Sequence, residues 1–464
     1  MIRLAISVVS VALIACSARV EPGNDAGELP MPGDASVSVS VDAGALPGAD
    51  SGVVGVTVTG RLIGGPGVWP GGIAGVHFES GALKGETSSS GEFQAEQGQL
   101  IVFSVAQVTF AAVTLTAGQH VTLWQLAGGT CTRSAELDKV LVLLFSLDDD
   151  ADATNGVQVA VPAAAGLTRS LRSLSMADVN VTVGQLITGR IALTPEVALG
   201  RFIRQVDDET WAQLSTIDAF TGAIALRRGQ GIATDGVSWF FSGTASLERT
   251  DLAFNTLQSN DVAIPLPLLL AGSDHIGDID VVGGLLYAPI EDGRKNYANP
   301  KVVTYTASSL SPQSTYSISK TLQTAGVPWL GIDALRGEAY VAEWSRATQL
   351  NIYTASSMTF ARSQPLVLAP GMVVDRIQGA KVFESALYLA TDDATKSVYK
   401  VDLETGITLR LFGVDTMGEQ EGLAFLSRPD GGAMHTLNIN QARNGSELRH
   451  HERTRPSLRS QLCR

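Results

Sequence analysis

Residues Asp274–Asp292 read DHIGDIDVVGGLLYAPIED, and the pattern returns four more times in altered form. Alternating apolar residues (Ile279, Val281) lead into a Gly-Gly turn. A second strand centred on Tyr287 follows, and an acidic pair ends the unit. The central aromatic recurs as Trp239, Tyr287, Tyr340 and Tyr388, with His435 in the fifth place, at steps of 48, 53, 48 and 47 residues. A later strand keeps step, with Tyr305 in VVTYTASSL, Tyr353 in LNIYTASSM and Val401 in VYKVDLETG. Short strands with a period in the forties are the signature of propeller blades, since one unit alone cannot bury its sheet face. The expected fold is mostly β, with an N-terminal β-sandwich-like module carrying one helix and then a five- or six-bladed β-propeller.

Working outward, the expected boundaries are a signal peptide over 1–15, a lipidated Cys and disordered tether over 16–52, and the sandwich-like module over 53–128. A helix, acidic loop and connector occupy 129–200, the propeller 201–450, and a basic tail 451–464. At 464 residues the chain exceeds one ordinary core. Only 17% of residues are charged and 48 are Gly, which fits tightly turned β-structure. The net charge of −13 disfavours nucleic acid as a partner.

The N-terminus MIRLAISVVSVALIAC places Arg3 before a twelve-residue apolar run, too short to span a bilayer as a mature helix. Leu13-Ile14-Ala15-Cys16 resembles the bacterial lipobox. That resemblance implies lipidation of Cys16, and Ser17 after it implies sorting to the outer membrane, facing periplasm or cell surface. Residues 20–52 hold six Gly, four Pro and six acids but no Lys, Arg or aromatic, so they lack the apolar surface to fold. As a coil they would reach roughly 30 Å. Of the other cysteines, Cys131 and Cys463 are free to pair in an oxidising compartment, or Cys131 is a buried thiol.

From Val53 the alternation of Val54, Val56 and Val58, and of Val102, Ser104 and Ala106, indicates half-buried strands. The segment GVHFESGALKGETSSSGEF (75–93) resembles the small sandwich modules of exported bacterial proteins, and its His77 is read as structural. Leu137, Val140, Leu141 and Leu144 fall on one helical face. Asp148, Asp150 and Asp152 after that helix have the spacing with which a calcium loop begins. Ala153 and Val159 depart from an EF-hand, and a solvated acidic turn is the other reading. Residues 160–222 read as a β-like, Ser/Thr-rich connector.

Aligning the blades on their aromatic anchors gives one column of Gln230, Asp278, Gly331, Gln378 and Glu421. Two residues earlier stand Arg228, Ile276, Trp329, Arg376 and Glu419. The innermost strands of a propeller line its channel, so Gln230, Asp278, Gln378 and Glu421 form a candidate oxygen-only calcium set. A water-filled channel would be equally polar without a metal. His275, Trp329, Arg376 and Glu419 are candidate ligand contacts, with turn capping, inter-blade packing and ion pairing as their structural alternatives. The acids Glu291, Asp292, Glu343, Asp392 and Asp393 follow the second strands and are expected to face solvent.

HIGDIDVVGGLLYAPIEDG, PWLGIDALRGEAYVAEW, VVDRIQGAKVFESALYLATDD and EQEGLAFL together resemble a family of secreted propeller-like proteins of unassigned activity. The five residues EGLAF also resemble phytase-like and lactonase-like propellers, and imply calcium held by channel acids. No HExxH, GxSxG, GxxxxGK[ST] or GxGxxG occurs between suitable elements. The expected function is a cell-envelope lipoprotein whose propeller binds a small molecule, glycan or protein partner. A calcium-dependent propeller hydrolase and a structural surface module without ligand are the alternatives.

Overall fold

A computed structural model of the chain describes residues 56–65, 71–115, 120–129, 131–148, 157–161, 168–207, 209–293, 296–416, 418–440 and 445–457. The expectations for the signal peptide, Cys16, the tether, Asp150 and Asp152 lie outside these residues. The described residues form one compact unit. They are mostly β, arranged in many small sheets.

Residues 57–122 form two sheets around Phe78, Phe93 and Phe103, whose rings touch in series. The helix Ala135–Ser146 covers this core with Leu137, Val140, Leu141 and Leu144, as their spacing predicts, and Ser134 caps it. The expectation of one helix is too low. Met176–Leu186 and Pro195–Val206 are also helices and pack on Ala135–Ser146. Their start signals lay inside the stretch read as β-like. Ser175 and Asp178 form a capping box, and Thr194 caps a helix with Pro195 in its first turn. Cys131 is disulfide-bonded.

Five antiparallel sheets follow. Sheet I contains Gly231–Thr234, Trp239–Ser242, Leu247–Thr250 and Thr256–Asn260. Sheet II begins with a split strand, His275–Ile276 and Asp280–Val282, then Leu285–Glu291, Lys301–Thr306 and Ser311–Ser317. Sheet III holds Gly331–Asp333, Glu338–Val341, Gln349–Thr354 and Thr359–Pro365. Sheet IV holds Ile377–Phe383, Ala386–Thr391, Ser397–Asp402 and Thr408–Gly413. Sheet V holds Glu419–Phe425, Met434–Asn440 and Gly445–Arg455, with Thr210–Thr221 as its outer strand.

Each repeating anchor lies in the second strand of its sheet, and all five are buried: Trp239, Tyr287, Tyr340, Tyr388 and His435. They belong to apolar clusters that fill the gaps between consecutive sheets or, for His435, stack on one. Thus Phe240 and Leu286 join I to II, Tyr287 and Ile332 join II to III, and Tyr340 and Leu387 join III to IV. Tyr388 and Leu423 join IV to V, and Leu437 and Trp239 join V back to I. The first strands of the sheets touch in the same cyclic order. Within Asp274–Asp292 the chain reverses at Gly283 and Gly284, whose φ angles of 59° and 79° suit the hairpin turn that pairs Val282 with Leu285.

The expected basic tail is corrected. The last strand runs to Arg455 and pairs with Thr210–Thr221, so His450 and His451 are buried in sheet V. His450 Nδ1 lies 2.8 Å from His435 Nδ1, and His435 stacks edge-on against Trp239. Burial pulls the His435 pKa down to about 4 and that of His451 to about 3, so both rings are neutral at pH 7.

Candidate functional site

The first strand of sheet II is split because its backbone leaves the sheet at Gly277 and Asp278. The Asp278 N–H donates to Pro328 O at 2.8 Å, in the chain that leads into sheet III. The diversion sends the Asp278 carboxylate among the first strands of the other sheets. Oδ1 accepts the Ile232 N–H of sheet I at 2.9 Å, and Oδ2 accepts the Ala380 N–H of sheet IV at 3.1 Å. Lys381 Nζ lies 2.8 Å from Oδ2. Only glycine fits around it: a Cβ on Gly422 would stand 2.6 Å from Oδ1, and one on Gly379 2.9 Å from Oδ2. Both charges are buried. Burial pushes the Asp278 carboxyl up to about 7 against the opposing pull of Lys381. The next acid, Asp280, ties sheet III in the same manner by accepting the Ile332 N–H at 2.8 Å.

Beside this ion pair lies a cavity of about 300 Å³ lined by residues of sheets II, IV and V and of the segments flanking sheets I and III. Sheet I's leading segment supplies Gln230, sheet II supplies His275 and Glu291, and the chain around sheet III supplies Ala325, Pro328 and Trp344. Sheet IV supplies Gln378, and sheet V supplies Glu419 and Glu421. His275 bridges two neighbours: Nδ1 is 3.3 Å from Glu291 Oε2, and Nε2 forms a very short contact with Gln230 Oε1. Trp344 Nε1 donates to Gln378 Oε1 at 3.2 Å, which holds the indole against the wall. Glu421 is buried, and burial together with the Glu419 and Asp392 carboxylates drives its pKa well up, with Glu419 also hydrogen-bonded to it.

The structure therefore gathers Gln230, His275, Gln378, Glu419 and Glu421 into one cavity. It separates the others. Asp278 does not line the cavity; the alignment column mixes two layers, and Asp278 belongs to the buried one with the glycines. Trp329 is fully buried in the core between sheets III and IV and forms no ligand floor. Arg376 pairs with Asp392 at 3.1 Å, outside the cavity lining. Asp148 is buried, bridges Val159 and accepts the Gln158 N–H at 3.0 Å, so this acid is built into the fold. Among the described residues no three His, Cys, Asp or Glu side chains are grouped to hold a metal ion.

The structure adds Glu291, Tyr297, Trp344 and Lys381 to the site and its immediate support. Glu291, next to last in the quoted stretch and expected in solvent, is buried because its strand runs to the cavity rim. Asp292 and Asp392 are buried as well. Trp344 closes the string EAYVAEW, three residues beyond the last of its strand. Lys381 stands between Ala380 and Val382 in a strand whose other polar residue is Gln378, and a lone charge among apolar neighbours is the signal that marks it.

No protein-family profile matches the chain, and no curated protein matches it. Among solved structures, it is similar to the crystal structure of Myxococcus xanthus glutaminyl cyclase with a TM-score of 0.38 and 11% identity, over 53% of this chain and 98% of that one. It is similar to the crystal structure of the mitotic checkpoint complex with a TM-score of 0.27 and 11% identity, over 48% of this chain and 62% of that one. Likenesses at this level carry no statement about function.

Proposed function

We propose that the chain is a binding protein of the cell envelope, in which sheets I–V are the blades of a five-bladed β-propeller. Thr210–Thr221 closes the ring as the outer strand of the last blade, which ties the two ends of the repeat region together. The cyclic order of the five inter-sheet cores supports five blades over six. Cys16 carries the lipid anchor at the outer membrane, and a disulfide at Cys131 fits the oxidising compartment that such an address implies.

The observation that carries the function is the placement of the cavity. Side chains from sheets II, IV and V and from the segments flanking sheets I and III converge on it, with the buried Asp278–Lys381 pair beside it. It is a cup for a small molecule, with polar groups set in a concave wall. Its volume does not suit an extended protein surface.

Cup occupancy is tested by thermal melting against panels of sugars, amines, amino acids, organic acids and nucleotides. A compound that binds only the folded state at a hundredfold excess over its Kd adds about 2.7 kcal/mol of stability. The expected result is a rise in melting temperature with at least one class, abolished by Ala325→Trp, which fills the cup. A panel without any shift, or shifts unchanged by Ala325→Trp, would overturn the reading.

A further inference from the structure

We propose that the cup selects an organic cation, a small molecule bearing an ammonium group, and rejects anions. The inference rests on the reading of the cavity as a ligand site and gives that ligand its charge. Three carboxyl side chains line the cavity, Glu291, Glu419 and Glu421, and no Lys or Arg does among the described residues. Among the described residues, bases around the cavity are committed elsewhere, Lys320 to the Asn296 carbonyl oxygen among them. Lys381 holds Asp278, and Arg376 and Lys396 both hold Asp392.

A second observation points to the ligand independently. The Glu291 side chain is 8% exposed, and its Oε2 faces His275. Its Oε1 is buried with no hydrogen-bond partner. A buried carboxylate oxygen without a donor is costly, and native proteins satisfy such atoms. Of the two glutamines in the wall, Gln230 already donates its Nε2 to Gly229 O at 2.9 Å, and neither donates to Glu291. An ammonium group supplies up to three N–H donors and the missing positive charge.

The walls suit the same ligand. Tyr297 and Trp344 both line the cavity; Tyr297 already has the Lys320 ammonium 5.8 Å from its ring centre, and the Trp344 ring offers the ligand's ammonium the attraction that aromatic faces give such groups. A bare metal ion would use neither ring and would leave most of about 300 Å³ empty. A polyanion would meet three carboxyls and, among the described lining residues, no base.

Isothermal titration of the full chain with putrescine and spermidine tests the proposal, with calcium chloride, glucose and citrate as comparison probes. The expected result is saturable binding of at least one amine and none of citrate. Glu291→Gln should weaken amine binding about tenfold or more, as loss of a charged hydrogen bond requires, and Glu421→Gln should weaken it too, because a bound ammonium draws the Glu421 carboxyl, whose pKa is raised in the empty cup, back toward its charged form. Glu86→Gln, an equal change of charge on the exposed surface of the N-terminal module, should leave it unchanged. Circular dichroism melts of each variant show whether weakened binding is merely unfolding. If the Glu291 variant is unfolded, the folded Glu421 variant decides. Failure of both amines to bind, equal loss in Glu86→Gln, or binding of calcium alone would overturn the proposal. Binding of glucose or citrate abolished by Ala325→Trp would overturn it too while leaving the cup itself standing.

Discussion

Replacing Lys381 with Met should lower the unfolding free energy by about 3–5 kcal/mol near pH 8, the usual cost of leaving one member of a buried ion pair alone. Met nearly fills the Lys volume, so the loss reports charge and not a cavity. The abandoned Asp278 carboxylate keeps its two backbone N–H donors from Ile232 and Ala380 but no cation. The sign of the pH dependence follows from its pKa. The folded value of about 7 lies above the ordinary 3.8, so the folded state holds the extra proton between them. The stability contributed by that proton is full below about 3.8 and is lost as pH rises through about 7. Removing Lys381 removes a pull in the opposite direction and raises the folded value further. The penalty of Lys381→Met should therefore shrink near pH 5, where the carboxyl is neutral. Urea denaturation at the two pH values measures this. An equal loss at both, or a loss under about 1 kcal/mol near pH 8, would show that the pair does not hold the sheets together.

Gly277→Ala should be comparably severe. An added Cβ would stand 1.9 Å from the Pro328 carbonyl oxygen, a backbone atom already fixed by the Asp278 N–H. The only relief is to move the chain that crosses from sheet II to sheet III, which carries Asp278 out of its ring of glycines. Overpacking costs about 1–3 kcal/mol where side chains can yield and more where backbone must. The melting temperature should fall by several degrees or more, and the cup should lose ligand with it because His275 sits two residues away. A folded variant that melts like the unchanged protein would contradict the tight crossing.

Much of the fold was legible because the repeat is carried by residues that pack. Trp239, Tyr287, Tyr340, Tyr388 and His435 keep register in the second strands, and any drift there would expose them. The helices Met176–Leu186 and Pro195–Val206 were missed although Ser175…Asp178 and Thr194-Pro195 mark their starts, because neighbouring Val and Thr suggested strands. The site was legible in part. Gln230, Gln378 and Glu421 share the cavity as the alignment column predicts, because each stands at the same place in its repeat. Asp278 does not, since the column assumes a regular strand and this one breaks at Gly277. Trp329 went to the core for a related reason: its backbone bridges Asp278, which turns the indole into the packing between sheets III and IV. Glu291 and Trp344 could be placed only from the packing of the sheets on one another, which brings chain segments from different sheets to one cavity.

A crystal structure of the protein grown with spermidine tests the account most directly. The predicted result is ligand density in the cup, with one nitrogen at hydrogen-bond distance from Glu291 Oε1 and Lys381 still paired with Asp278 alongside. An empty or water-filled cup with the amine bound elsewhere, or an open channel where the Asp278–Lys381 pair should stand, would contradict it.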